Sequence, residues 1–123
     1  MSNPARQKGT SFEHHVLEAH LCKVRPTVER APLKGVLDYG DFINIDGWLI
    51  EAKKRDRWDL PGWIRGVLSK IGRQGEPDAP WAIVFAGDKR SEINMDLVVL
   101  PATLYFVQLQ RLYDLLRRRI TEP

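Results

Sequence analysis

Apolar residues recur at helical spacing in three segments of the chain, which predicts three helices. The first covers residues 10–24 and ends before Pro26, since the residue before a proline disfavours helical backbone. The second covers residues 59–72, with a capping Asp59 and a terminating Gly72. The third covers residues 101–119. The second helix is expected to bury one apolar stripe, formed by Ile64, Val67, Leu68 and Ile71.

Shorter apolar runs between these segments predict strands. Two runs, residues 41–44 and 48–54, surround a turn signal. The runs at residues 81–87 and 96–101 are continuously apolar, which is typical of strands buried on both faces. The resulting order, α-β-β-α-β-β-α, predicts an α/β fold with a central mixed sheet flanked by helices. The pattern does not decide whether a further strand lies within residues 26–39.

Composition limits the class of protein. A chain of 123 residues suits one core, so we expect a loose basic arm at residues 1–9 and a single domain over residues 10–123. With Cys22 as the only cysteine, an internal disulfide is impossible. No apolar run is long enough for a membrane span and no secretory signal is visible, so a cytoplasmic location is expected. The net charge of +3 permits a phosphate-rich partner.

The strongest chemical signal lies around the Asp46-Gly47 turn. Glu51 and Lys53 are two residues apart on one predicted strand, so they share a face. A two-residue hairpin loop would place Asp41 on the opposite face. A three-residue loop, with Gly47 in the left-handed conformation and a bulge, would place Asp41 directly opposite Glu51. We predict that second register.

Such a trio suits a hard divalent cation. Two neighbouring carboxylates repel each other in a partly desolvated site, and Mg²⁺ or Mn²⁺ relieves that repulsion. The backbone carbonyl of Ala52 would add another oxygen ligand. Lys53 would steady charge on a phosphate, as phosphodiester hydrolysis requires. The alternative is an ordinary hairpin with solvated acid–base pairs.

Glu13 is a further candidate, because a helical wheel of 100° per residue places it on the apolar face of the first helix. A carboxylate there needs a partner, such as a metal-bound water. The alternative is a capping box in which Glu13 reaches back to the Thr10 amide. The wheel places His20 beside Glu13, as a satisfied core or interface histidine. It places His14 and His15 on the opposite, solvated side.

The segments "GTSFEHHV", "YGDFINI" and "WLIEAKKR", followed by a helix and "WAIVFAG", resemble the PD-(D/E)XK nuclease superfamily. Their order and small size look most like archaeal-type Holliday junction resolvases and their phage-encoded relatives. The resemblance covers residues 9–100 and implies a restriction-endonuclease-like fold with metal-dependent DNA cleavage by a homodimer, in a prokaryotic or phage-infected cell. It implies that Asp41, Glu51 and Glu13 are the site acids and Lys53 the catalytic lysine. Gln74 would match a polar residue near the site. Gly40 departs from the pattern, which has proline before the first acid.

Basic residues suggest where DNA would bind. Lys54, Arg55 and Arg57 follow the predicted site, and Lys70 and Arg73 lie on or just past the second helix. Such phosphate contacts are sequence-neutral, which suits a structure-selective enzyme. The arginines at 117–119 are better explained by compensation of the helix dipole.

The last helix is apolar over more than one stripe, which favours a dimer contact. The sequence thus predicts a Mg²⁺- or Mn²⁺-dependent endonuclease acting on four-way junctions. The alternatives are another nuclease of the superfamily, of repair or restriction type, and a non-catalytic DNA-binding module.

Overall fold

The computed structural model describes residues 11–31, 40–45 and 47–121, and confirms a mixed α/β architecture. Residues 11–24 form helix α1. The later elements are β1 (Glu29–Arg30), β2 (Phe42–Ile43), β3 (Leu49–Lys53), α2 (Leu60–Arg73), β4 (Trp81–Phe85), β5 (Leu97–Val99) and α3 (Ala102–Thr121). The predicted arm at residues 1–9 and Thr10, the amide partner of the expected capping box, lie outside the described residues.

The sheet is mixed. Strand β4 lies in the centre of a three-stranded sheet, parallel to β3 and antiparallel to β5. Strand β1, which falls in the segment left open by the sequence, pairs antiparallel with β2. A bridge between Gly40 and Ile50 joins this pair to β3.

Helices cover both faces of the β3–β4 pair. On one face Phe12, Val16 and Leu21 of α1 pack with Ile50 and Val84. On the other face α2 packs its buried Val67 and Ile71 against Leu49, Trp81 and Ile83. The strand residues belong to opposite faces because side chains alternate along a strand. Glu51 shares the α2 face with Leu49 for the same reason.

Helix α2 agrees with the prediction at its start and departs from it at its end. The Asp59 side chain caps the helix by accepting a hydrogen bond from the Gly62 N–H at 3.1 Å. The helix continues past Gly72 to Arg73, and Gly75, with φ of +73°, adopts the left-handed conformation that follows many helix ends. Leu68 was expected in the buried stripe but is 49% exposed, so the stripe is narrower than predicted.

Helix α1 contains a π-helical segment at Leu17–Leu21. The N–H of Cys22 donates to the Leu17 carbonyl, which is the i→i+5 pattern of a π turn. The wider turn changes the angular position of every residue after it. Val24, the last residue of the helix, is 78% exposed, although an ideal α-helix places it on the buried face.

The end of the chain differs most from expectation. Strand β5 was predicted to be buried on both faces, yet it is an edge strand whose Val98 is 53% exposed. Helix α3 packs little against the rest: of its described side chains, Leu104 and Leu109 are half-buried and the others are exposed. Among the described helices, none has the length and apolarity needed to cross a bilayer.

Candidate metal centre

The two predicted acids, Asp41 and Glu51, come together, although not through the predicted hairpin. In the described part of the chain, the two segments form a parallel bridge between Gly40 and Ile50 instead of an antiparallel ladder. The Asp41 N–H donates to the Ile50 carbonyl at 3.0 Å. The Asp41 carboxylate accepts a hydrogen bond from the Ala52 N–H at 2.7 Å. These two bonds hold the Asp41 side chain over β3, beside Glu51.

Strand β2 forms its antiparallel ladder with β1 instead of β3. Arg30 of β1 pairs with Phe42 of β2, and the Ala31 N–H donates to the Asp41 carbonyl at 2.8 Å. The turn itself agrees with the prediction at Gly47, which has φ of +76°, and the Trp48 N–H donates to the Ile45 carbonyl at 3.1 Å. The local turn chemistry was therefore read correctly at Gly47, whereas the strand pairing was not.

Gly40 stands where the pattern that the sequence resembles has proline, and its backbone excludes proline. Its φ is +98°, and a Cβ at this position would lie 2.8 Å from the Ile50 carbonyl oxygen. Proline, with φ fixed near −65°, cannot adopt that backbone. The glycine therefore permits the close approach of its segment to β3 that places Asp41.

Burial dominates the electrostatics of the acid pair. Burial and the neighbouring Asp41 charge raise the pKa of Glu51 to about 7, even though the Lys70 ammonium opposes the shift. Burial also raises the pKa of Asp41 above its usual value, against the lowering effect of the hydrogen bond from Ala52. Glu51 is only 3% exposed. The single ammonium of Lys70 does not neutralise both carboxylates when both are ionised.

Lys70 contacts Glu51 from another element, whereas Lys53 lies on the same strand as Glu51. Lys70, predicted as a DNA contact, reaches across from α2 and forms an ion pair with the Glu51 carboxylate. Lys53, the predicted catalytic lysine, is half-buried two residues along the same strand, on the face of Glu51. The pairing of Lys70 with Glu51 was not predicted from the sequence. The available signal was the position of Lys70, one turn from Val67 on the buried side of α2.

Glu13 lies near the pair but is bound elsewhere. Its carboxylate accepts hydrogen bonds from Nε and Nη2 of Arg30, at 3.0 and 2.7 Å. Its negative charge contributes to raising the pKa of Asp41, after burial. Arg30, which the sequence did not single out, is thus the partner that the half-buried Glu13 requires.

The donor set fits a hard divalent cation. Asp41 and Glu51 supply carboxylate oxygens, which Mg²⁺ and Mn²⁺ prefer, and neither ion needs a cage made only of protein atoms. The Ala52 N–H donates a hydrogen bond to the Asp41 carboxylate, and the Ala52 backbone carbonyl as a further ligand stays a prediction. Asp41 and Glu51 are therefore the two residues that would hold the ion.

The remaining predicted DNA contacts divide into two groups. Lys54, Arg55, Arg57 and Arg73 have exposed side chains, as a phosphate contact requires. Gln74 is half-buried and lines a separate cavity of about 460 Å³ with residues such as Phe42 and Trp48. Asp41, Glu51 and Lys53 are not in the lining of that cavity, and the proximity of Gln74 to the acids stays a prediction.

Comparison with protein families, curated proteins and solved structures found no match to this chain.

Proposed function

We propose that the chain is a metal-dependent DNA endonuclease of the PD-(D/E)XK type with a restriction-endonuclease-like fold. The observation that supports this proposal most is the pair formed by the buried Glu51 and the half-buried Asp41, whose pKa values are both raised. A structural domain has no need to desolvate two adjacent carboxyl groups, and raised pKa values are concentrated at functional sites. Lys53 on the same strand completes the set that the sequence resemblance implies.

Each residue has a distinct task in this proposal. Asp41 and Glu51 hold Mg²⁺ or Mn²⁺ as oxygen ligands. When bound, such an ion neutralises charge that develops on the phosphate and makes a water molecule a stronger nucleophile. The Lys53 ammonium donates hydrogen bonds to the phosphate oxygens under attack. Glu13, held by Arg30, keeps a negative charge beside Asp41 and so strengthens the attraction of the site for a cation.

The substrate is DNA, with the four-way junction as the preferred form. The exposed Lys54, Arg55 and Arg57 directly follow β3, which carries Glu51 and Lys53. Phosphate contacts from this cluster would position the backbone at the acids without reading its sequence. Preference for a branched form rests on the resemblance to junction resolvases.

The test is cleavage of a labelled four-way junction and of linear duplex with the same sequence, each in Mg²⁺ and in EDTA. We expect Mg²⁺-dependent cleavage of the junction and loss of roughly 100-fold or more of the rate in Glu51→Gln, as for removal of a group that acts in the transition state. Glu29→Gln is the matched control, because Glu29 is a strand glutamate with an exposed side chain. Its rate should equal that of the wild type.

The other outcomes separate the alternatives. Equal cleavage of both substrates would retain the nuclease and reject the junction preference, as expected of a repair or restriction-type enzyme. Tight junction binding in EDTA, with no cleavage in Mg²⁺ or Mn²⁺, would identify a binding module. Equal rates for Glu51→Gln and Glu29→Gln would contradict the assignment of the site.

A second copy of the chain is the proposed partner. Helix α3 exposes large apolar side chains, among them Tyr105, Phe106, Leu112 and Leu116, each at least 45% exposed. Contiguous apolar surface of this kind marks an interaction site in proteins that remain in solution. A homodimer also supplies one acid pair for each strand that a junction resolvase cuts.

A further inference from the structure

Two histidines and an aspartate converge outside the acid pair. Nε2 of His15 lies 2.6 Å from Oδ2 of Asp96, and Nε2 of His20 lies 2.7 Å from the same oxygen. All three atoms lie within 4.8 Å of one another. The histidines come from α1, whereas Asp96 directly precedes β5. Three potential metal ligands therefore meet at one point from two separate elements.

The π-helical segment is what brings the histidines together. Five residues of an α-helix turn through about 500°, so His15 and His20 would point about 140° apart. In a π turn the i→i+5 bonding aligns residues that are five apart. His15 lies just before Leu17–Leu21 and His20 lies within it. The two rings consequently meet edge to face, with centroids 5.9 Å apart.

This backbone change carries information beyond the cluster itself. A π turn is rare, and where it occurs inside an α-helix it is often found at a functional site. Here it brings the rings of His15 and His20 to one side of the helix. An ion bound by the two converging imidazole rings would stabilise this turn.

The cluster has the accessibility that an ion requires. The side chains of His15 and His20 are 50% and 47% exposed, and that of Asp96 is 19% exposed. The Asp96 carboxylate faces two imidazole nitrogens at hydrogen-bond distance.

We propose that His15, His20 and Asp96 bind one first-row transition-metal ion of the zinc class, independently of the Asp41–Glu51 pair. Imidazole nitrogen suits Zn²⁺ and Co²⁺, whereas Mg²⁺ requires oxygen ligands. Two histidines and one carboxylate form a donor set that leaves a coordination position open to water. Tetrahedral bonds of about 2.0–2.1 Å place ligand atoms roughly 3.3 Å apart. The two histidine nitrogens, at 2.6 and 2.7 Å from Oδ2 of Asp96, reach that spacing by moving slightly away from this oxygen.

The ion would join α1 to the β4–β5 connection. Asp96 is the last residue before β5, whose outer edge is unpaired within the described sheet. Binding to the folded chain alone stabilises it by mass action. Zn²⁺ should therefore raise the melting temperature as well as occupy the site.

The test is titration of the untagged chain with Co²⁺ in an excess of Mg²⁺, which keeps Co²⁺ from the Asp41–Glu51 pair, followed by the visible absorption of Co²⁺ and then displacement with Zn²⁺. We expect one equivalent of Co²⁺ per chain and an increase in melting temperature with Zn²⁺. His20→Ala and Asp96→Asn should each weaken Co²⁺ binding at least about tenfold, since even the loss of a group behind a ligand costs that much. Circular dichroism checks that each variant keeps its helices.

Two controls make the result specific. His14→Ala removes a neighbouring histidine of α1 that contacts Arg30 instead of Asp96, and it should leave Co²⁺ binding unchanged. Glu51→Gln should also leave it unchanged, which separates this site from the proposed nuclease centre. An excess of Mg²⁺ should not displace Co²⁺.

Three results would overturn the proposal. The first is the absence of stoichiometric Co²⁺ uptake by the wild-type chain. The second is equal weakening in His14→Ala and His20→Ala, which would indicate non-specific surface binding. The third is loss of binding in Glu51→Gln with retention in His20→Ala and Asp96→Asn, which would assign the ion to the acid pair.

Discussion

At the scale of single residues, Glu51 has the most unusual environment in the described chain. Its carboxyl group is buried on the α2 face of the sheet, next to a second acid and paired with one lysine. Burial of a charge is tolerated only when partners compensate for it. Because burial and the neighbouring Asp41 charge raise the pKa of Glu51 to about 7, Glu51 takes up a proton near neutral pH.

The stability of the metal-free chain should therefore depend on pH through Glu51. The pKa is raised from 4.5 to about 7 on folding, so between these values the folded chain keeps a proton that the unfolded chain releases. The stabilisation is complete below pH 4.5 and is lost as the pH rises through 7. A shift from 4.5 to about 7 corresponds to roughly 3 kcal/mol, at about 1.36 kcal/mol per pKa unit.

Urea denaturation in EDTA at pH 5 and pH 8 would measure this effect. The wild type should lose free energy of unfolding between the two values relative to Glu51→Gln, which carries no titrating group there. Glu29→Gln, with its exposed side chain, should follow the wild type. An identical pH dependence in Glu51→Gln and the wild type would contradict the raised pKa.

Gly40 gives a second prediction at this scale. Gly40→Ala forces a side chain onto a backbone with φ of +98° and places its Cβ 2.8 Å from the Ile50 carbonyl oxygen. Strain of this kind costs roughly 1–3 kcal/mol. The free energy of unfolding should fall by that amount, and Asp41 should lose its position over β3.

Gly66→Ala is the matched control for Gly40. Gly66 lies inside α2, where an added Cβ meets nothing within 4 Å. Alanine should therefore stabilise the chain there by about 0.5–1 kcal/mol. Chemical denaturation of both variants distinguishes the cases, and a neutral Gly40→Ala would refute the role given to this glycine.

At the scale of elements, the sequence predicted what local chemistry determines and missed what distant partners determine. Asp59 at the start of α2 and Gly47 in the turn were predicted correctly, because caps and left-handed glycines follow from neighbouring residues. The pairing of β2 with β1 depends on a segment more than ten residues away. A hairpin rule takes no account of such a competitor.

The candidate site follows the same division. Asp41, Glu51 and Lys53 were identified from spacing within one short segment. The partners Lys70 and Arg30 come from other elements, and long-range contacts of this kind leave no periodic signal. The His15–His20 pair was missed for another reason: a wheel of 100° per residue assumes an uninterrupted α-helix, and the π turn violates that assumption.

At the scale of the whole molecule, α3 stands out because its apolar side chains remain uncovered. The helix has 20 residues, and a helix of that length without packing is only marginally stable in water. Its apolar residues at 105, 112 and 116 follow helical spacing. Association with a second copy would bury them and account for their number.

Sedimentation at micromolar concentration tests this association. The wild type should sediment as a dimer, and Leu112→Glu should shift it towards the monomer, since Leu112 is 52% exposed on the proposed contact. Gln108→Glu adds the same charge at an exposed polar position of α3 and should leave the dimer intact. A strictly monomeric wild type would contradict the proposal.

The ion pair between Lys70 and Glu51 has a consequence for any cation that approaches the acids. The ammonium is an internal counter-ion already in place, so loading of the site is an exchange of one positive charge for another and not a simple addition. The measured binding free energy is then the difference between the free energy of binding the cation and that of binding the Lys70 ammonium, and α2 sets the second. A cation that displaces Lys70 also releases a side chain of α2, and occupancy of the acids is thereby linked thermodynamically to the freedom of that helix.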